Sequence, residues 1–356
     1  MQRLSLPFFT YIFFVIVVVF LLFHSITWNL YTKKIFARED RMYIGDLGRM
    51  SYQLDTFHPK KFTLTLKKKH FNLKNWKGEQ IDIVTIGDSF FNAGAGGVNP
   101  YFQDHIATLY NKNVLNLKKS TSSSLQTIIN LYNSGWLQQI QPKYIILEIV
   151  ARDAVQSFAI NLNWNSNEPF QDSFLAHQET QDPFIPKTKF INTANYKYLY
   201  FNLFPNKNKY VYTFQLKQNL FSARTANKLL VYHNDIKNLQ NINEKNISLL
   251  NDNLNKLSSI LQQSNIQLIF LPAVDKYDLY HKYIIDNNYP KNDFFTLLEK
   301  EKKEYIYINS KSILTSALDE NTNDIFYADD THWSNVASEL ICKNKLFANS
   351  FSKEIF

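Results

Sequence analysis

A long uncharged segment near the amino terminus constrains the fold of this chain more than any other feature. Residues 4–32 contain no Lys, Arg, Asp or Glu, and the centre of the segment, Phe8 to Phe23, is almost entirely apolar. A helix needs about 20 consecutive apolar residues to cross the hydrocarbon core of a bilayer. Because no small-x-small cleavage pattern follows, we predict an uncleaved membrane anchor over residues 1–32 that contacts the lipid bilayer through one spanning helix.

The charges beside the anchor bear on its orientation. Arg3 and the terminal amine precede the apolar segment, and four basic residues follow it: Lys33, Lys34, Arg38 and Arg41. Taken alone, this excess of basic residues after the span predicts that the rest of the chain lies in the cytoplasm. We interpret residues 33–80 as a basic juxtamembrane linker with one short helix around Met42 to Tyr52.

Beyond residue 80, segments typical of strands alternate with segments typical of helices. We predict strands at Ile81–Ile86, Val114–Leu117, Tyr144–Ile149, Gln267–Leu271 and Tyr305–Ile308. We predict helices at Tyr101–Tyr110, Leu125–Tyr132, Lys245–Gln263, Phe294–Lys303 and Val336–Phe347. Such alternation favours a parallel sheet with helices on both faces, within one α/β domain over residues 81–356.

An insertion over residues 160–240 interrupts this alternation. The segment is rich in Asn, Lys and aromatic residues, and it contains prolines but no glycine. One hypothesis is a cap whose rings stack on sugars or dock a membrane partner. The other is that the rings pack the insertion onto the sheet.

The segment Gly87-Asp88-Ser89-Phe90 places a hydroxyl at the end of the first predicted strand. Gly87 permits a sharp turn that a Cβ atom would obstruct. Ligands of open α/β sheets bind outside the carboxyl ends of the strands, where backbone N–H groups can stabilise an oxyanion. The glycines that follow match neither phosphate-binding pattern, so nucleotide binding is not expected. Ser89 is therefore either a nucleophile or a surface residue of a strand-to-loop turn.

A second motif near the carboxyl terminus, Asp329-Asp330-Thr331-His332-Trp333-Ser334, combines carboxylates with an imidazole. His332 is a candidate base for Ser89, and a nearby acid can orient the imidazole and stabilise its charged form. Either Asp330, two residues before the histidine, or Asp329, three before it, can supply that acid. Alternatively, these polar residues cap the amino terminus of the closing helix, with Ser334 as the cap.

These two motifs resemble the signatures of SGNH (GDSL-like) hydrolases. Gly87-Asp88-Ser89-Phe90 is similar to their nucleophile block, and Asp330-Thr331-His332-Trp333 resembles the Asp-x-His-Trp signature of bacterial alginate and other cell-envelope O-acetyltransferases. Two similarities are weaker. Leu271 to Lys276, with Tyr280, resembles the family's Pro-x-Lys stretch, and Glu148 to Arg152 resembles its Glu-x-x-x-Arg segment. The resemblance covers roughly residues 80–350 and implies a triad of Ser89, His332 and Asp330, with Asp329 as the alternative acid of the broader family.

The chain departs from ordinary SGNH hydrolases where their oxyanion hole is built. Their third block carries an asparagine, whereas this chain has Ala151-Arg152-Asp153 at that place. Their second block carries a glycine, whereas residues 118–124 of this chain contain only Lys, Ser and Thr. The resemblance then implies the Ser89 amide as a donor, with further donors or supports at Ser122, Arg152 and Asp88. Arg152 is equally suited to a buried ion pair with Glu148 or Asp153.

Composition excludes several other classes of protein. The single cysteine, Cys342, allows no internal disulfide, and the eight histidines show no zinc-binding spacing, so neither a metal nor a cofactor is implied. The net charge of +8 and the run Lys67-Lys68-Lys69 suit an anionic polymer or lipid headgroups, or form a solvated face. No nucleic-acid-binding motif is present.

The resemblance implies an SGNH-like, three-layer (flavodoxin-like) fold and a membrane-anchored O-acetyltransferase that acts on hydroxyls of a cell-envelope polysaccharide. It also implies a multi-pass membrane-bound O-acyltransferase as the donor partner. The expected location is the bacterial cytoplasmic membrane with the catalytic domain on the periplasmic face, which conflicts with the charge rule. Two alternatives remain: an acetylesterase with the same triad, and a non-catalytic envelope protein that binds glycan or a partner.

Overall fold

A five-stranded parallel sheet lies at the centre of the protein. The computed structural model describes residues 6–36, 44–56, 66–92, 94, 100–119, 123–166 and 190–351. Its strands are β1 (Ile83–Ile86), β2 (Val114–Leu117), β3 (Tyr144–Val150), β4 (Val211–Gln215), β5 (Lys228–Tyr232), β6 (Gln267–Ala273) and β7 (Ile306–Tyr307). The sheet order is β2-β1-β3-β6-β7, while β4 and β5 form a separate antiparallel pair.

Helices surround the sheet. They are α1 (Leu6–Thr27), α2 (Lys33–Phe36), α3 (Asp46–Ser51), α4 (Phe102–Tyr110), α5 (Ser124–Asn133), α6 (Trp136–Ile140), α7 (Ala151–Phe158), α8 (Thr193–Leu203), α9 (His233–Lys237), α10 (Glu244–Gln262), α11 (Lys276–Tyr280), α12 (Phe294–Lys300), α13 (Ser310–Asp319), α14 (Asn335–Lys343) and α15 (Lys345–Ser350). One group packs around α14, with α4, α13 and α15, and another packs around α10, with α5, α7 and α12. Every residue of β1, β2 and β3 is buried, so both faces of these strands are covered.

All five predicted strands are present and parallel, so the α/β prediction is confirmed. The single predicted helix Val336–Phe347 is wrong, because the chain leaves helical geometry at Asn344. The Asn344 side chain accepts a hydrogen bond from Leu346 N and thereby starts α15 as a new helix. Helix α7, which no prediction included, begins at Ala151 directly after β3.

The described parts of the 160–240 insertion contain α8 and the β4–β5 hairpin. Residues 167–189 lie outside the described residues, together with several of the aromatic residues predicted to belong to a cap. The hairpin packs on α3, since Leu47, Val211 and Leu230 form one buried cluster.

One helix of the described chain, Pro7–Phe36, is long and apolar enough to span a membrane, as the sequence predicts. A π-helical turn, Trp28–Thr32, joins α1 to α2 within it. The predicted juxtamembrane helix is present as α3, which covers only part of Met42 to Tyr52. Further along the same segment, Phe71 forms a parallel bridge with Leu115 on the outer edge of β2, so residues assigned to a linker extend the sheet region.

Helix α10 offers a matched test of the core. Leu250 is fully buried and its neighbour Leu249 is 37% exposed. We expect Leu250→Ala to lower the free energy of unfolding by about 2–5 kcal/mol, because it removes buried methyl groups and leaves a cavity. Leu249→Ala should change it by less than about 0.5 kcal/mol. Denaturant titration of the detergent-solubilised chain measures both, and equal effects would contradict this packing.

Candidate active site

The candidate site lies at the carboxyl end of β1. The chain leaves β1 for β2 on one side and later returns to β3 on the other, which makes the crevice between β1 and β3 a topological switch point. Ligands of doubly wound sheets bind at such crevices. Ser89 follows β1 there, and its side chain is exposed.

Three predicted side chains form one hydrogen-bonded chain in this crevice. Ser89 Oγ lies 2.7 Å from His332 Nε2, and His332 Nδ1 lies 2.6 Å from Asp330 Oδ1. His332 and Asp330 are buried, with 9% and 1% exposure. A hydroxyl, an imidazole and a carboxylate in this order have the geometry of a nucleophile, its base and the group that orients the base.

The turn that carries the serine is held by Asp88. Its Oδ1 accepts a hydrogen bond from Phe90 N, and its Oδ2 accepts one from Val150 N at the end of β3, both at 2.8 Å. Glu148, fully buried in β3, accepts a 2.8 Å hydrogen bond from Asp88 N. Asp88 therefore ties the serine turn to the end of β3 across the crevice.

Burial raises the pKa of the Glu148 carboxyl well above its ordinary value, and the nearby Asp88 carboxylate adds to that shift. Glu148 therefore keeps its proton to a higher pH than an exposed glutamate does. A neutral acid at this position avoids placing a second negative charge beside Asp88.

A glycine closes the space over the Ser89–His332 pair. Gly94 N donates a 2.8 Å hydrogen bond to Ser89 O. A Cβ atom on Gly94 would lie 2.6 Å from both His332 Nε2 and Ser89 Cβ. Glycine at position 94 therefore allows its backbone to lie directly beside Ser89 and His332, where a side chain would clash.

A buried lysine holds the loop that carries the acid. Lys276 Nζ donates hydrogen bonds to the backbone carbonyls of Tyr327, Ala328 and Asp330, at 2.8, 2.9 and 3.0 Å. Burial lowers the pKa of Lys276 to about 8, although Asp329 and other acids oppose that shift. The sequence pointed to Lys276 only as part of a weak resemblance.

The two motifs also contact each other directly. Trp333 is buried, and its Nε1 donates a 3.1 Å hydrogen bond to Phe90 O in the serine turn. Ser334 caps α14 by accepting from Val336 N at 3.0 Å, so the capping interpretation of this segment holds together with the site geometry.

Asp329, the alternative acid, points elsewhere. Its Oδ2 accepts a 2.8 Å hydrogen bond from Gly45 N, and its carbonyl accepts one from Gly48 N at the same distance. A Cβ atom on Gly45 would lie 2.3 Å from the Asp329 carbonyl oxygen, so only glycine permits this approach. The structure thus separates two acids that the sequence left open: Asp330 contacts His332, and Asp329 contacts the juxtamembrane segment.

Asp46 is a site residue that the sequence analysis missed. Its carboxylate accepts hydrogen bonds from Thr331 N and Thr331 Oγ1, both at 2.7 Å, between the acid and the base of the motif. Asp46 N also lies 3.4 Å from Asp330 Oδ2. The available signal was two glycines, Gly45 and Gly48, within the helix predicted around Met42 to Tyr52, where helix propensity disfavours them.

The surrounding acids set the pKa of His332. Burial lowers it, but the Asp330 charge, its hydrogen bond and the Asp46 charge together raise the pKa of His332 above its ordinary value. Burial and the Asp330 charge in turn raise the pKa of Asp46. The imidazolium that forms when His332 accepts a proton is therefore stabilised from two sides.

The guanidinium of Arg152 lies against the Phe90 ring and pairs with the carboxylates of Asp235 and Asp153. Its Nη1 lies 3.0 Å from Asp235 Oδ1, its Nε lies 3.6 Å from Asp153 Oδ2, and its guanidinium lies 5.6 Å from the centre of the Phe90 ring. Asp153 was one predicted partner, and Asp235 was not predicted. Ser122, the predicted oxyanion residue, lies outside the described residues. The Ser89 amide donates to none of the described residues.

The described residues contain one group suited to a metal ion. Ligand atoms of Asp46, Asp330 and His332 lie within 4.8 Å of one another. These atoms already bond to each other or to Thr331. We therefore assign them to a hydrogen-bonded network.

No protein-family model matches the chain, and no curated protein matches its sequence. Function is therefore inferred from the site itself. Its residues can supply a nucleophile, a general base and a fixed carboxylate, which together suit acyl transfer or ester cleavage.

We expect Asp46→Asn to lower the pKa of His332, because it removes a negative charge that stabilises the imidazolium. Histidine NMR titration of the full chain in detergent measures this, with His332→Gln to assign the resonance. Asp55→Asn is the control, since Asp55 follows on the same segment but pairs with Lys228. An unchanged His332 pKa in Asp46→Asn would contradict the contact.

Proposed function

We propose that the protein is a membrane-anchored O-acyltransferase of the SGNH-like class. In this proposal it moves an acyl group, most simply acetyl, through Ser89 onto hydroxyls of a cell-envelope polysaccharide. The observation that carries the proposal is the continuous hydrogen-bonded chain from Ser89 Oγ through His332 to Asp330. The sheet order β2-β1-β3-β6-β7 adds support. When only the strands of this sheet are numbered in chain order, it becomes 2-1-3-4-5, which is the strand order of flavodoxin-like doubly wound folds.

In the acylation step, Ser89 Oγ attacks the carbonyl carbon of the donor ester while His332 Nε2 takes the hydroxyl proton. Asp330 holds the Nδ1–H of the imidazole and stabilises its positive charge. The carbonyl oxygen becomes an oxyanion, for which the Ser89 amide is the nearest candidate donor. The leaving group then departs with the proton from His332, and the acyl group remains on Ser89.

In the transfer step, an acceptor hydroxyl loses its proton to His332 Nε2 and attacks the acyl carbon. The Ser89–acyl bond breaks, and the proton returns from His332 to Ser89 Oγ. When the acceptor is water, the same steps give an acetylesterase, which is the second candidate function. Ser89 is exposed, as a residue that reacts with an external donor and acceptor must be.

The anchor favours a membrane setting for this chemistry. We propose the outer face of the bacterial cytoplasmic membrane, from the resemblance of the motifs to envelope O-acetyltransferases. One span cannot carry an acyl group across the bilayer, so a multi-pass membrane-bound acyltransferase is the proposed donor. A non-catalytic role in binding glycan is the competing interpretation, and it predicts no covalent chemistry at Ser89.

The test is acetylation of Ser89. We expect the full chain in detergent, treated with p-nitrophenyl acetate, to gain one acetyl group that peptide mapping assigns to Ser89. Ser89→Ala should gain none, and Ser222→Ala, which changes an exposed serine elsewhere, should behave as the unsubstituted chain does. Folded protein that forms no adduct, or an adduct that persists in Ser89→Ala, would overturn the proposal.

The fate of that adduct separates the two candidate reactions. Faster loss of the acetyl group in the presence of envelope glycan, with acetyl recovered on the glycan, establishes transfer. Equal loss with and without glycan, with acetate as the product, establishes an esterase.

A further inference from the structure

Helix α8 carries an exposed apolar stripe. Tyr196, Leu199, Tyr200 and Leu203 are spaced i, i+3, i+4 and i+7, and their exposures are 49, 46, 47 and 63%. This spacing places side chains on one face of a helix, and it is the usual pattern of a buried face. In α8 the side chains that follow this spacing are exposed.

The opposite face of α8 already makes the contacts that hold the helix to the protein. Ala194 and Asn195 are buried, and Tyr198 and Phe201 are half-buried. Asn202 Nδ2 donates a 3.1 Å hydrogen bond to Tyr52 O. Tyr196 lies at the edge of the stripe and contacts His24 of α1. The rest of the stripe remains exposed after the helix has packed, and exposed apolar patches of this kind mark interaction surfaces.

The membrane anchor lies directly beside this helix. His24 of α1 is fully buried, with its Nε2 3.0 Å from Tyr196 Oη and its Nδ1 2.8 Å from Asn195 Nδ2. Further along the anchor, the Tyr31 ring stacks on the Tyr198 ring with centroids 4.8 Å apart. The insertion thus docks against the last turns of the spanning segment.

The position along the anchor indicates the depth of these contacts. A span of about 20 residues that begins near Pro7 ends near His24 or shortly after it. Tyrosines and tryptophans are enriched where such a helix leaves the hydrocarbon, and Trp28 and Tyr31 follow there. The turn before α8 is also apolar and exposed, with Phe190 at 39% and Ile191 at 48%.

We propose that α8 and the turn at Phe190–Ile191 lie in the interface of the leaflet in which α1 ends, with lipid covering the exposed stripe. Continuity with the anchor favours lipid as the occupant. Leu22, Ile26 and Leu30 are each more than half exposed at the same level of the anchor, on a surface that a bilayer covers. Two residues of the stripe, Tyr196 and Tyr200, are of the type that is enriched where protein meets the headgroup region of a bilayer.

This second attachment fixes the orientation of the catalytic domain at the membrane. A single span leaves the domain free to rotate and tilt, whereas a span together with an adjacent helix in the interface restricts both motions. Contacts continue from α8 through Tyr52 to α3, whose Asp46 bonds to Thr331 beside His332. The inference depends on the anchor and is independent of the reaction proposed for Ser89.

Nitroxide labelling tests the proposal, because the one native cysteine, Cys342, is fully buried. The full chain would be placed in lipid nanodiscs at one chain per disc, with single substitutions Leu203→Cys and Ile191→Cys. Leu346→Cys is the matched control, since Leu346 is 64% exposed on α15. The unsubstituted chain should take up no label. Circular dichroism of each variant checks that it folds.

Power saturation then compares the access of oxygen with that of a water-soluble nickel chelate to each label. We expect a several-fold higher oxygen-to-nickel ratio at positions 191 and 203 than at 346. Equal, water-like ratios at all three positions would overturn the proposal and leave the stripe for a protein partner. A raised ratio at only one of the two positions of the insertion would also contradict a helix that lies along the interface.

Discussion

The site depends on how the loop from Tyr327 to Thr331 is held. This loop carries the adjacent carboxylates of Asp329 and Asp330, which repel each other. Its position relative to Ser89 therefore depends on the groups that bind it. Lys276 supplies a buried ammonium to three carbonyls of this loop region, and the Gly45–Asp46 segment supplies two amides and a carboxylate from the other side. With Lys276 and the Gly45–Asp46 segment both in contact with the loop, Asp330 lies within hydrogen-bond distance of His332, and His332 lies within hydrogen-bond distance of Ser89.

The second of these supports comes from the chain between the anchor and the sheet. Gly45 and Gly48 let the backbone approach Asp329 within hydrogen-bond distance, and Asp46 then reaches Thr331. Helix α3, which contains Asp46, packs against the β4–β5 hairpin through Leu47. Residues 45–48 are therefore structurally part of the candidate site, and a chain that begins at residue 81 would lack one side of it.

The sheet was predictable because its strands are short, mostly apolar runs bounded by polar or turn residues, as Ile83–Ile86 before Gly87 shows. Ser89, His332 and Asp330 were predictable because each belongs to a short local motif. Asp46 and the Lys276 contacts were not, since they join elements far apart in sequence and no local pattern records such a pairing. The insertion resisted prediction for a related reason: α8 uses a helical period, but its apolar stripe faces outward and its packed face is polar in part.

Substitutions at Asp330 and Asp329 distinguish the acid that orients His332 from the acid that holds the Gly45 segment. Each would be changed to Asn, and the rate at which a fluorophosphonate labels Ser89 in the full chain would be measured for both. We expect a loss of about 10⁴-fold for Asp330→Asn, the size typical of replacing the acid of a Ser-His-Asp triad. Asp329→Asn should cost far less, because an amide oxygen still accepts from Gly45 N. Equal rates in the two variants, or a larger loss for Asp329→Asn, would contradict the assignment of Ser89, His332 and Asp330.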